Sequence, residues 1–240
     1  MPDKDRRSLL NIAAALGPVA LAVGLLVVYL VAPEFYLAHI LREDAREYQF
    51  VEIVTFGSSA VASAILLWCT SRFWKERIVG ATILVGTLFA ATLFFAGEEV
   101  SWGQTWFGWD TPESFESFSH ETNIHNSGLP VRTLAPVFLA SYFFVFPAIW
   151  SLRHKVRLPA DWSPAVPEAP AIFAMAFAFG WKQIKNVYRL LSPDANQSEP
   201  GIYRDYIEQL NEQMEMLAAV AILIYALSLL RTVRRLRSAS

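Results

Sequence analysis

Charge is scarce in this chain. Only 18% of its residues are Asp, Glu, Lys or Arg, where soluble domains carry nearer a quarter. With 54% hydrophobic content, that scarcity argues against a soluble globular domain. Cysteine is all but missing. The single Cys69 forms no internal disulfide and leaves the redox compartment unread. Set in an apolar run beside Trp68, it reads as a packed or lipid-facing side chain. Basic excess is absent too, since the formal net charge is −2, so nothing marks a nucleic-acid partner. No segment of about ten residues alternates in the manner of a transmembrane β-barrel, and no internal repeat is visible.

Long uncharged apolar runs are what the chain has in quantity. Several approach or exceed the roughly 20 residues needed to cross a bilayer. They predict an all-α, polytopic membrane helical bundle of about six transmembrane helices, one integral membrane domain over 1–240. The expected spans are about 9–32, 52–70, 78–97, 134–152, a short run from 169, and about 214–230. The fifth run is ambiguous. If it continues as a helix to Leu191, Lys182, Lys185 and Arg189 share a face, and long basic side chains near a helix end can reach the headgroups. The basic start MPDKDRRSLL leads into a long run without a clear cleavage site, so it reads as a retained first helix. The proline-rich stretch RLPADWSPAVPEAP reads as an extended or turn-like connector.

Basic residues orient the set. Lys4, Arg6 and Arg7 precede span one. Arg72, Lys75 and Arg77 link spans two and three. Arg153, Lys155 and Arg157 follow span four, and Arg231, Arg234, Arg235 and Arg237 follow span six. With six spans these segments share one side, which the positive-inside rule makes cytoplasmic. Both termini are then cytoplasmic, in the cell's inner (plasma) membrane. Five spans would separate the N-terminal from the C-terminal basic clusters.

The opposite side collects the chemistry. Its densest stretch is a non-cytoplasmic signature loop, 97–131, containing GEEVSWGQTWFGWDTPESFESFSHETNIHN. Glu98 and Glu99 close an uncharged span. Adjacent helical positions point about 100° apart, so one carboxylate is expected to face the bundle. By spacing, Glu98 shares a helical face with Ser101 and Trp102. Glu121 and His125 are four apart, a carboxylate–imidazole pair suited to a first-row metal, although the spacing is not that of the zinc-protease motif. Glu208, Asn211, Glu212 and Glu215 form a stripe entering span six, and Glu52 opens span two. Ionisable residues within a membrane are read as functional groups. Charge-paired packing is the competing reading for each.

If these groups converge, Glu98, Glu99, Glu121 and His125 are the candidate catalytic residues. Glu52, Glu98, Glu121, His125 and Glu212 are candidate ligands for a divalent metal (Zn, Mn or Fe), and metal-free acid–base work by the same carboxylates is the other form. Trp102, Gln104, Asn123, Asn126, Lys182 and Lys185 are candidate contacts for a lipid or lipid-linked substrate. For Trp102, Trp106, Phe107 and Trp109 an interfacial aromatic belt is the plainer reading. His39 and His154 stand alone and receive no role.

The run GEEVSWGQ followed by ETNIHN resembles a family of uncharacterised bacterial multipass membrane proteins that carry GEE-x-SWGQ and ETN-x-HN. The resemblance implies the membrane-helical fold and adds no reaction. The paired glutamates also resemble the EExxxR element of intramembrane CAAX-type proteases, but Gly103 stands at the arginine position. Likeness to the alkaline ceramidase superfamily fails on histidine number, since only His120 and His125 lie close together. Two functions therefore compete. One is a membrane-embedded hydrolase or transferase acting on a lipid or lipid-linked substrate at the outer leaflet. The other is a non-catalytic membrane protein, an ion or proton pathway or an accessory subunit that docks a partner.

Overall fold

The computed structural model describes residues 3–40, 50–108, 110, 131–152, 155, 159–191 and 209–238. Every regular element among them is helical. In order they are α1 (Asp3–Val31), α2 (Pro33–His39), α3 (Phe50–Lys75), α4 (Val79–Glu99), a 3₁₀ turn (Ser101–Gly103) and α5 (Gln104–Phe107). Then come α6 (Val131–Ala140), a π-helical turn (Ser141–Val145), α7 (Phe146–Ser151), a second 3₁₀ turn (Ala160–Ala165), α8 (Ala169–Leu191) and α9 (Leu210–Ser238). The chain is an all-α polytopic helical bundle.

Five helical stretches are long and apolar enough to cross a membrane: Asn11–Val31, Phe50–Lys75, Val79–Glu99, Leu134–Ser151 and Leu210–Leu236. The doubtful fifth run of the sequence is not among them, because Lys182, Gln183, Lys185 and Asn186 make the second half of α8 polar. It is nevertheless one continuous helix of 23 residues, about 34 Å long at 1.5 Å per residue. It packs along α1 and α9. Just before it, the carbonyl of Ala165 meets the Tyr225 hydroxyl of α9. Further on, Trp181 meets Gln213 near the start of α9. Helix α8 therefore runs antiparallel to α9 through the bundle, and with the five apolar stretches it makes six long helical segments among the described residues.

Helix α9 is central. It packs on α3 and α8, and α3 packs in turn along α4. Its inner faces are small and apolar, with Ala218, Ala219, Ala221 and Ala226 buried, which lets neighbouring backbones approach closely. Leu66, Phe73, Val85, Leu88, Met175 and Leu217 fill the core between helices. Opposite faces carry Ile12, Val27, Ile53, Val61, Ile83 and Val137 outward, as lipid contact requires.

Helices α3 and α4 are joined by a tight turn. Ile78 N–H donates to Phe73 O (2.9 Å) and Arg77 N–H to Trp74 O (3.1 Å). This is the paired 6→1 and 5→2 pattern of a Schellman cap. Arg77 occupies the left-handed position at φ 58°, where glycine is usual.

The proline-rich connector forms a 3₁₀ turn rather than a wholly extended segment, and it docks on the end of α4. Asp161 Oδ2 accepts the Gly80 N–H at 2.7 Å, satisfying one of the free donors of the helix start. The Trp162 ring lies so tightly over Gly80 that an added Cβ would fall inside it. Ala165 O then accepts the Tyr225 hydroxyl (2.8 Å), and the Tyr142 and Tyr225 hydroxyls lie 2.7 Å apart. The π-turn explains how two adjacent residues of one helix reach that place. Its wider winding lets both Tyr142 and Phe143 pack on the Tyr225 ring, each with centroids 5.6 Å away.

Candidate functional site

At the opposite end of the bundle, α4 ends in the GEEVSWG stretch. The helix stops at Glu99, and Ser101 (φ 45°), Trp102 (φ 56°) and Gly103 (φ 85°) follow in left-handed conformations. Such a conformation costs non-glycine residues about 1–2 kcal/mol each. The reversal folds Trp102 back along α4. Its indole N–H donates to Glu98 Oε1, its ring packs edge-on against Phe94 at 5.6 Å, and its six-membered ring covers Gly97. A Cβ on Gly97 would come within 2.8 Å of two ring carbons. The motif therefore has a local explanation. Gly97 makes room for the ring, Glu98 receives its N–H, and Gly103 closes the left-handed turn.

Glu98 and Trp102 do meet, but not on a continuing helix face as their spacing predicts. Trp102 is 40% exposed and is held by these contacts within the motif, a more specific placement than an aromatic belt requires. Phe107 is exposed. Trp109 lies outside the described residues, as does the side chain of Trp106.

Glu98 is only 2% exposed. Glu99, half-buried, lies within electrostatic reach of Glu215, Glu212, Glu52 and Glu98. Carboxylates from α3, α4 and α9 thus gather around Glu99 at one end of the bundle. Glu212 is the exposed member, while Glu52 and Glu215 are half-buried. A group of like charges in such a place is stable only with protons, basic groups or a cation among them.

Beside these carboxylates runs a neutral polar network. Trp181 Nε1 donates to Gln213 Oε1 (2.8 Å), and Gln213 Nε2 donates to the Tyr36 hydroxyl (2.9 Å). It ties α8, α9 and α2 together at this end, with Gln213 fully enclosed. Lys185, one turn beyond Trp181 on α8, is 5% exposed. Lys182 is half-buried, as is Gln104 at the start of α5. Sequence reasoning missed Gln213, Trp181 and Tyr36. The one available signal was a glutamine between Glu212 and Glu215, just where the stripe enters the apolar run.

Glu121, His125, Asn123, Asn126 and Glu208 lie outside the described residues, as does His120. Among the described residues no three His, Cys, Asp or Glu side chains are placed to hold a metal ion. Glu52, Glu98 and Glu212 therefore do not make a metal centre by themselves. A scan of protein-family models and searches of curated proteins and of solved structures gave no match, so the resemblance drawn from GEEVSWGQ and ETNIHN rests on those motifs alone.

Proposed function

We propose that the carboxylate centre at the non-cytoplasmic end is the working site of a membrane-embedded hydrolase or transferase acting on a lipid or lipid-linked substrate. The observation that carries this reading is that Glu52, Glu98, Glu212 and Glu215, from three helices, all come within electrostatic reach of Glu99. Interacting carboxylates exchange protons as a unit, and pairs held in different environments divide into acid and base. Glu99, within reach of the other four carboxylates, is the proton-exchanging group. Glu98, enclosed and hydrogen-bonded by the Trp102 indole, is the oriented partner.

Lys182, half-buried on the helix that borders the centre, supplies a cationic contact for a phosphate-bearing headgroup. Trp102 supplies an exposed ring for an acyl chain or isoprenoid. The inner membrane fits a chain whose basic loops are retained on the cytoplasmic side.

The acid–base form is the one this geometry favours. A metal form needs Glu121 and His125 to complete the ligand set. Metal analysis of purified protein with Glu98→Gln and Glu121→Gln checks it: metal in the parent that both variants lose supports that form, and equal, negligible metal in all three removes it.

The direct test of function is incubation of the purified protein in nanodiscs of bacterial lipid extract, followed by mass spectrometry of the lipids. The expected result is turnover of one lipid class that Glu99→Gln reduces at least 100-fold, the scale of a lost acid–base group. A lipid profile unchanged by the parent protein contradicts the proposal.

A further inference from the structure

Helix α3 carries two hydroxyls that the carboxylate centre does not account for. Ser59 and Ser63 are one turn apart on its buried face, 0% and 3% exposed. Neither Oγ has a hydrogen-bond partner among the described residues. Their neighbours behave differently. Thr55 donates to Val51 O (2.7 Å), Thr92 to Leu88 O (2.7 Å) and Thr70 to Leu66 O (2.8 Å). A helical hydroxyl that turns onto its own backbone satisfies itself, and these two serines do not. Buried hydroxyls nearly always have a partner.

Their depth follows from the direction and packing of α3 and α9. Cys69 of α3 and Tyr225 of α9 are close enough to interact electrostatically. Both helices enter the bundle from the carboxylate end, since Glu52 of α3 and Glu212 and Glu215 of α9 all act on Glu99. Helices α3 and α9 pack along each other, so ten residues back along each, Ser59 comes to about the depth of Glu215 and Ser63 lies one turn deeper, towards Ala219. Ala62 and Ala219, both fully buried, keep the surroundings small.

We propose that Ser59 and Ser63 hold internal water, in a pocket that extends the carboxylate centre into the bilayer and ends at Leu66. Buried water makes about three hydrogen bonds to groups otherwise unsatisfied. Each serine offers one donor and two acceptor sites. Facing positions one turn apart lie about 5–6 Å from each other, the span of one or two waters. Glu215, at the level of Ser59, is the link to the carboxylates. Leu66, fully buried one turn beyond Ser63, closes the pocket. The Tyr142 and Tyr225 hydroxyls, nearer the cytoplasmic end, are already satisfied by each other and by Ala165 O. The pocket gives the carboxylates water and protons from inside the bundle. Its service to catalysis rests on the acid–base reading, whereas its existence rests on the two serines.

The test uses the full chain in nanodiscs with Cys69→Ser, carrying Ser59→Cys, Ser63→Cys or Leu66→Cys one at a time. Silver ion is the probe, because it passes only where water does. The expected result is that thiols at 59 and 63 react at least tenfold faster than the thiol at 66. Equal, slow reaction at all three positions overturns the proposal. A second measurement needs no cysteine. Ser59→Ala and Ser63→Ala in the otherwise unaltered protein lower the unfolding temperature if the hydroxyls bind water. They raise it if the hydroxyls are dry and unsatisfied, which again overturns the proposal. Neither readout uses turnover, so failure of the catalytic reading leaves both intact.

Discussion

Gly97 sits under the Trp102 ring, and its missing side chain is what lets the ring approach. Gly97→Ala puts a methyl 2.8 Å from the ring carbons and is expected to push Trp102 off Glu98. Overpacking of this kind costs about 1–3 kcal/mol. The loss is read as a lower thermal midpoint together with altered tryptophan emission. Trp102→Phe removes the indole N–H that Glu98 accepts together with part of the ring over Gly97, and leaving the buried Glu98 oxygen without that donor costs about 1–3 kcal/mol. A midpoint unchanged in both variants contradicts the clamp. Arg77 offers the opposite sign. It holds a left-handed conformation that glycine adopts without penalty, so Arg77→Gly is expected to stabilise the protein by about 1 kcal/mol, measured by denaturant or thermal unfolding. These conformations are not legible in sequence. Nothing about Ser101 or Trp102 as residue types announces a left-handed backbone, and only Gly103 hints at a turn.

Among the elements, the helices themselves were the legible part. The expected spans at 52–70, 78–97 and 134–152 fall within or beside Phe50–Lys75, Val79–Glu99 and Leu134–Ser151, because an unbroken apolar run is a local property of the chain. The docked connector and the Gln213 network were not legible. Each joins residues far apart in sequence, such as Gly80 with Asp161 and Tyr36 with Gln213, and no local pattern encodes such a pairing. The connector is where an element-scale prediction belongs. Asp161→Ala removes the side-chain cap of α4, a loss of about 0.5–2 kcal/mol. Tyr225→Phe removes the hydroxyl that holds Ala165 O. Both variants are expected to speed proteolytic cleavage within 153–168 in inside-out vesicles. Cleavage as slow as in the parent would show that these contacts do not hold the connector down.

For the molecule as a whole, the bundle has one end tied by tyrosines, a connector and basic loops, and another rich in carboxylates. That asymmetry follows from helix direction. Helices α3 and α9 run from the carboxylate end, while α4 and α8 run towards it, so Glu52, Glu98, Glu99, Glu212, Glu215 and Lys185 gather at one depth although they are scattered along the chain. An even number of crossings requires α8 to cross as well, and its polar second half keeps it below the apolarity of the other five. Reporter fusions after residues 8 and 238 are expected to place both termini in the cytoplasm. Opposite sides would mean that α8 packs in the bundle without crossing the membrane.

The central claim is that carboxylates from three helices form one interacting centre, and infrared titration of the carboxyl C=O band tests it most directly. If Glu99 faces the others, Glu99→Gln not only removes one absorbing group but also moves the midpoints at which the remaining carboxylates titrate, and Glu215→Gln does the same. A Glu99→Gln spectrum equal to the parent's minus one independent carboxyl, with every other midpoint unmoved, would contradict it.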